Sequence, residues 1–188
     1  MAWIDETHEH AAEGPLKEAY ARIARALGRV IPFYRAYSVS PQHLHAHLDF
    51  YDQIRKLGAL SKRRKEMIAV AVSAENGCRD CTALHAGFLR AHRVDGAVVA
   101  ALATDPGRAL ADGRVTGAEA VIVGYALKLT RTPRAMRAED VHALRDAGLT
   151  EPEVFEVAFL TAYFNYTNRV GEGLGVEPES LPRDRRLY

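Results

Sequence analysis

The sequence predicts an all-α protein of seven or eight helices. Apolar residues recur at three- and four-residue spacing along most of the chain, helix-opening residues stand at the head of those stretches, and no segment sustains the strict alternation of a strand. With 188 residues, 48% of them hydrophobic, a substantial core is possible, and one domain over residues 1–188 is expected, with a polar N-terminal end and a C-terminal tail.

The first helix is read over residues 14–28, where Pro15 marks a start and Leu16, Ala19, Tyr20, Ile23 and Leu27 share one face. Ser40-Pro41 is an N-cap followed by proline at the first helical position, and Leu44, Leu48, Tyr51 and Ile54 extend a buried stripe until Gly58. Residues 62–75 are different. Met67 to Val72 are apolar without a break, which suits a helix enclosed on all sides, and the length and the alanines favour helix over a buried strand.

Asn76-Gly77 then punctuates the chain, and a helical pattern resumes from Cys78 to about His92, so two antiparallel helices are expected. Asp95 caps a short helix that ends at Asp105-Pro106-Gly107. Thr116 with Glu119, and Thr150 with Glu153, form capping-box patterns that open two later helices, and residues 138–147 make a short helix stopped by Gly148. An offset of 89 residues aligns Leu60-Ser61 with Leu149-Thr150, Ala69 with Ala158 and Asn76 with Asn165, which suggests a repeated helical unit. Only the first copy carries cysteines; the second has Thr167 and Val170 in their places.

The 25 Lys and Arg residues balance 24 Asp and Glu for a formal charge of +1, without a basic run or stripe, so nucleic acid is not an expected partner. The N-terminal segment is polar, and no stretch of about 18 uncharged apolar residues occurs, so no membrane association and a cytoplasmic location are expected. In a reducing compartment, two cysteines three residues apart point to redox or metal chemistry rather than to a passive staple.

On a helix, Cys81 lies between Cys78 on one side and His85 on the other. Modest local adjustment brings the sulfurs at this spacing within bonding reach. The helix N-terminus favours a thiolate, the reactive form, and His85 can take the proton of Cys81 near neutral pH; nothing equivalent serves Cys78. If the chain reverses at Asn76-Gly77, Glu66 falls level with His85, where a carboxylate can orient the imidazole or relay its proton.

This pattern of Glu66, eleven residues, Cys78, two residues, Cys81, three residues and His85 resembles the AhpD-like alkylhydroperoxidases within the carboxymuconolactone decarboxylase superfamily. The segment EMIAVAVSAENGCRDCTALHAGFLR is similar to their peroxidase-related branch. The resemblance implies an AhpD-like helical fold, assembly as a homo-oligomer, commonly a trimer or hexamer, and cofactor-free reduction of small hydroperoxides with electrons from an external dithiol or thiol. It assigns attack to Cys81, resolution to Cys78, and proton relay to His85 and Glu66. Thioredoxin-like logic points the other way, making the first cysteine of a CxxC the nucleophile. The best-known member type has histidine between the cysteines where this chain has Asp80, an acid whose charge opposes thiolate formation.

Three other readings fit the same residues. The cysteines can be small buried hydrophobes; Cys78, Cys81, His85 and Glu66 can be counted as four zinc ligands, although no second ligand pair stands elsewhere; or the dithiol can sense oxidant or fix assembly without turnover. His43, His45 and His47 read as solvated surface rather than metal ligands. Tyr163, Phe164 and Tyr166 with Asn165 and Asn168 read as core and subunit interface, with a lining of the active-site mouth as the alternative, and Arg183, Arg185 and Arg186 as a solvated tail.

Overall fold

The structure, a computed structural model, describes residues 2–177, so Arg183, Arg185 and Arg186 lie outside the described residues. Among these, ten α-helices form and no strand. They fall into two compact units: one is drawn from the chain up to Leu57 and from Val170 onward, the other is Gly58–Arg169.

The first unit holds α1 (Gly14–Leu27), α2 (Pro32–Arg35) and α3 (Pro41–Lys56). Leu16, Ala19, Tyr20 and Ile23 of α1 meet Leu44 and Leu48 of α3, as their spacing requires, with Tyr34 and Tyr37 between. Ser40 stands at the N-cap of α3, but its hydroxyl bonds His43 Nδ1 at 2.6 Å instead of a backbone N–H. His47 departs from the surface reading. It is buried, with the rings of Phe33, Tyr34 and Tyr37 within 5.3–6.0 Å, because the face it shares with Leu44 and Leu48 turns inward. Its exposed neighbour His43 is on solvent, while His45 bonds the Pro15 carbonyl at 2.9 Å.

The second unit holds α4 (Lys62–Glu75), α5 (Arg79–Ala91), α6 (Gly96–Thr104), α7 (Pro106–Ala111), α8 (Gly117–Arg131) and α9 (Ala138–Asp146), together with α10 (Glu151–Gly173) through residue 169. α4 is the axis: Met67 to Ser73 are each 1% exposed or less, enclosed by α5, α6, α7 and α8. The apolar run therefore finds its cover inside one chain. Of the two apolar stretches, residues 62–75 and 155–163, that the sequence offers as surfaces on which subunits would pack, the first is thus covered from Met67 to Ser73 by its own chain.

Four cations, Lys62 to Lys65, begin α4, where the helix dipole is itself positive. Carboxylates from α8 and α10 offset the conflict: Arg63 pairs with Glu119 at 2.8 Å, Arg64 with Glu153 at 3.2 Å and Lys65 with Glu156 at 2.7 Å. Glu156 also accepts the Leu60 N–H at 2.7 Å, in a buried setting that leaves no polar group of the pair without a partner. Glu119 is thus engaged elsewhere, and the capping box read from Thr116 does not form. At Thr150 half of its box exists: the Glu153 carboxylate accepts both the backbone N–H and the hydroxyl of Thr150 at 2.9 Å.

The two helices that raise the count above eight are α2 and α7. Asp105-Pro106-Gly107 does end α6, but Asp105 also caps α7, accepting the Arg108 N–H at 2.9 Å with Pro106 in the first turn. The suggested repeat reaches only as far as Asn76 and Asn165. The first copy turns there, whereas the second continues without a break as α10.

Candidate functional site

The chain leaves α4 at Glu75, turns through Asn76 and Gly77, and enters α5 with Cys78 at the N-cap. Cys78 is fixed through its backbone. Its N–H donates to the Ser73 carbonyl at 3.0 Å, and its own carbonyl accepts from Thr82 N–H at 2.9 Å and Thr82 Oγ1 at 2.8 Å. Cys81 is the third residue of the helix, and its sulfur is joined to that of Cys78 in a disulfide, with the Cα atoms 5.5 Å apart. Cys78 is buried at 7% exposure and Cys81 only half-buried, so the second cysteine is the more open to a small molecule.

One turn further, His85 Nδ1 lies 2.7 Å from Glu66 Oε2. The antiparallel pairing of α4 and α5 brings these residues level from opposite sides of the Asn76-Gly77 turn. The contact is largely enclosed, with side-chain exposures of 9% for His85 and 19% for Glu66. An ionised Glu66 accepts the Nδ1 proton and so fixes the tautomer that leaves Nε2 free to serve as a base. Rings complete the enclosure. Phe88 stands edge-on to the imidazole at 5.6 Å and Phe164 at 4.9 Å. Phe164, placed in sequence among core and interface residues, is thus a wall of the imidazole's pocket; its neighbour Tyr163 is core, while Tyr166 is exposed.

The structure thus pairs the four residues two by two along the α4–α5 hairpin, Cys78 with Cys81 at the turn and Glu66 with His85 further from it, His85 one turn beyond Cys81 on α5. Among the described residues no group of three or more His, Cys, Asp or Glu side chains is arranged to hold a metal ion, and no helix is long and apolar enough to cross a membrane. A cavity of about 350 Å³ opens elsewhere in the same unit, lined by residues that include Leu110, Gly124, Leu127 and Arg131. None of the four clustered residues borders it, so cavity size alone is a poor guide to the chemistry here.

Residues 41–122 match the model of the carboxymuconolactone decarboxylase family. None of the curated proteins matches the chain. Among solved structures, the chain is similar to an alkylhydroperoxidase AhpD core, a peroxidase-related protein from Ralstonia eutropha JMP134, with TM-score 0.83 and 24% identity over 95% of this chain and 93% of that one. A peroxidase-related protein from Silicibacter sp. TM1040 gives TM-score 0.78 and 24% identity over 95% and 89%. The debrominase Bmp8, as a cysteine-to-alanine variant in complex with 2,3,4-tribromopyrrole, gives TM-score 0.77 and 16% identity over 93% and 90%.

Proposed function

We propose that the chain is a cofactor-free thiol peroxidase acting on small hydroperoxides, a reading supported by the match of residues 41–122 to the carboxymuconolactone decarboxylase family and by the AhpD-like fold. The observation that carries this reading is a dithiol pair on the first turn of α5 with a histidine–carboxylate pair one turn away. In the reduced protein, His85 Nε2 takes the Cys81 proton. The thiolate attacks a peroxide oxygen: the S–O bond forms, the O–O bond breaks, and the alkoxide leaves as an alcohol with the proton held on His85. Cys78 then attacks the Cys81 sulfenic acid, forming the disulfide and releasing water. An external dithiol or thiol returns two electrons and two protons. The greater openness of Cys81, with His85 beside it, supports this order over one in which Cys78 attacks first.

Stopped-flow peroxide consumption with a panel of dithiols tests the reading. Cys81→Ser is expected to be inert, while Cys78→Ser reacts once and stops with a trappable sulfenic acid on Cys81. The reverse pattern reassigns the two cysteines, and turnover unaffected by either change ends the peroxidase reading.

A second reading, reductive dehalogenation, is favoured by the likeness in fold to the debrominase Bmp8. There the dithiol would supply two electrons, replacing carbon–bromine by carbon–hydrogen and releasing bromide as the disulfide closes. Bromide release from bromopyrroles by the reduced protein distinguishes it.

A further inference from the structure

We propose that Asn165 is a positioning residue for the dithiol: through Asn76 it holds the turn that carries Cys78 in place when the disulfide opens. The inference deepens the thiol chemistry assigned above and rests on it. Between the end of α4 and Cys78 stand only Asn76 and Gly77. Gly77 has φ +74° and open space where a side chain would be, so the turn is held at that residue by the backbone alone, the Gly77 N–H donating to the Ala74 carbonyl at 3.1 Å. While the disulfide is closed, the covalent bond itself keeps Cys78 beside Cys81. Once it is reduced, the position of the Cys78 sulfur depends on the backbone bonds of Cys78 to Ser73 and Thr82 and on whatever side chain holds the turn that those bonds close.

Asn76 Nδ2 donates to Asn165 Oδ1 at 3.1 Å. Asn165 is itself immobilised: its Nδ2 donates to Thr130 Oγ1 and to the Thr161 carbonyl, each at 2.9 Å, and its Oδ1 also accepts from Arg169. A side chain with four bonds to three helical positions and the turn cannot follow a moving loop; it acts as a fixed post. The flanks are secured as well. Arg131 forks onto Glu75 with two bonds of 2.6 Å, and Ser73, whose carbonyl receives the Cys78 N–H, bonds Asn168. Asn76 and Asn165 are also the last matching pair of the 89-residue offset, which gives the position in the second copy a task although that copy lacks cysteines. Holding the turn raises the effective concentration of the Cys78 thiol at Cys81 and so favours ring closure.

The test measures the dithiol–disulfide equilibrium of the full chain in dithiothreitol buffers, by alkylating free thiols and weighing the protein. Asn165→Leu and Asn76→Ala are each expected to shift the equilibrium toward dithiol by about tenfold, the effect of one well-placed hydrogen bond. Asn165→Asp keeps the oxygen that Asn76 needs but loses the Nδ2 bonds to Thr130 and the Thr161 carbonyl, and is expected to shift the equilibrium by less than Asn165→Leu does. The double variant should be no worse than the worse single one, since both remove the same bond. A purely structural role lowers the urea midpoint without moving this equilibrium. An unchanged equilibrium in Asn76→Ala overturns the proposal, and that variant carries the test even if Asn165→Leu fails to fold. No peroxide enters the measurement. A shifted equilibrium with no peroxide turnover therefore rejects only the peroxidase reading, and normal turnover with an unmoved equilibrium rejects only this one.

Discussion

His47 shows what a single side chain hides from the sequence. Its spacing from His43 marks a shared helix face, but it does not say which member of the pair turns inward. Burial among Phe33, Tyr34 and Tyr37 lowers the His47 pKa from 6.5 to about 4. The unfolded chain then binds a proton that the folded chain refuses. Stability contributed by the neutral ring is full above about pH 6.5, falls as the pH drops toward 4, and levels off below. Between pH 7 and pH 5 the loss amounts to about 2 kcal/mol. Urea unfolding at the two pH values measures it, and His47→Phe should flatten this part of the dependence; an equal slope in the variant would mean that other groups cause it. By contrast, Glu66 and His85 were legible as a pair, because the turn at Asn76-Gly77 sets which residues of two antiparallel helices meet. Glu66→Gln keeps a group that can bond the imidazole but loses its charge. It is expected to slow reaction of Cys81 with peroxide by about 10- to 100-fold in stopped-flow measurements, with helical content unchanged.

Periodicity decides most elements of this fold, but local motifs do not decide those where side chains choose between partners. The bounds of α4 and the turn after it follow from an apolar run closed by Asn-Gly. The cap at Thr116 failed because Glu119 answers Arg63, a residue more than fifty positions away whose need is invisible to a local motif. The missed α7 had its Asp-Pro signal in plain sight, but the same residues also ended α6. Two glycines at either end of α4 make these local demands measurable. Gly77 has a left-handed φ and free space around it, so Gly77→Ala should cost only the conformational strain, about 1 kcal/mol. Gly58 has φ +115°, and a Cβ there would lie 2.0–2.6 Å from the Glu156 carboxyl group. Gly58→Ala must displace the carboxylate that neutralises Lys65 and accepts the Leu60 N–H, and is expected to cost about 3 kcal/mol or more. Chemical denaturation of the two variants checks the order; equal costs would show that Glu156 moves aside freely.

At the scale of the whole molecule, the sequence carried the all-helical class and the facing of Glu66 and His85, and it offered two apolar stretches, residues 62–75 and 155–163, as surfaces for self-association. A run that is apolar on every side demands cover without saying whether the same chain or another provides it, and for α4 the same chain does. α10 is different. Phe155 and Tyr166 are 68% and 44% exposed, and with Phe159 and Ala162 they follow the three- and four-residue spacing of one helix face, Phe155 stacking on Phe159 at 5.6 Å. Large rings held outward along one face retain much of the gain from burial that a second copy can supply. We therefore propose that the expected homo-oligomer forms through this face of α10 rather than through α4. A carboxylate on an exposed helix position changes the stability of a monomer by only a few tenths of a kcal/mol, whereas the same group enclosed between subunits without a partner is far more costly. The double variant Phe155→Glu, Tyr166→Glu should therefore sediment as a monomer with wild-type helical content, while the wild type sediments as a trimer or hexamer at micromolar concentration. An oligomer that survives both substitutions would move the interface off this face, and a monomeric wild type would remove the oligomer altogether.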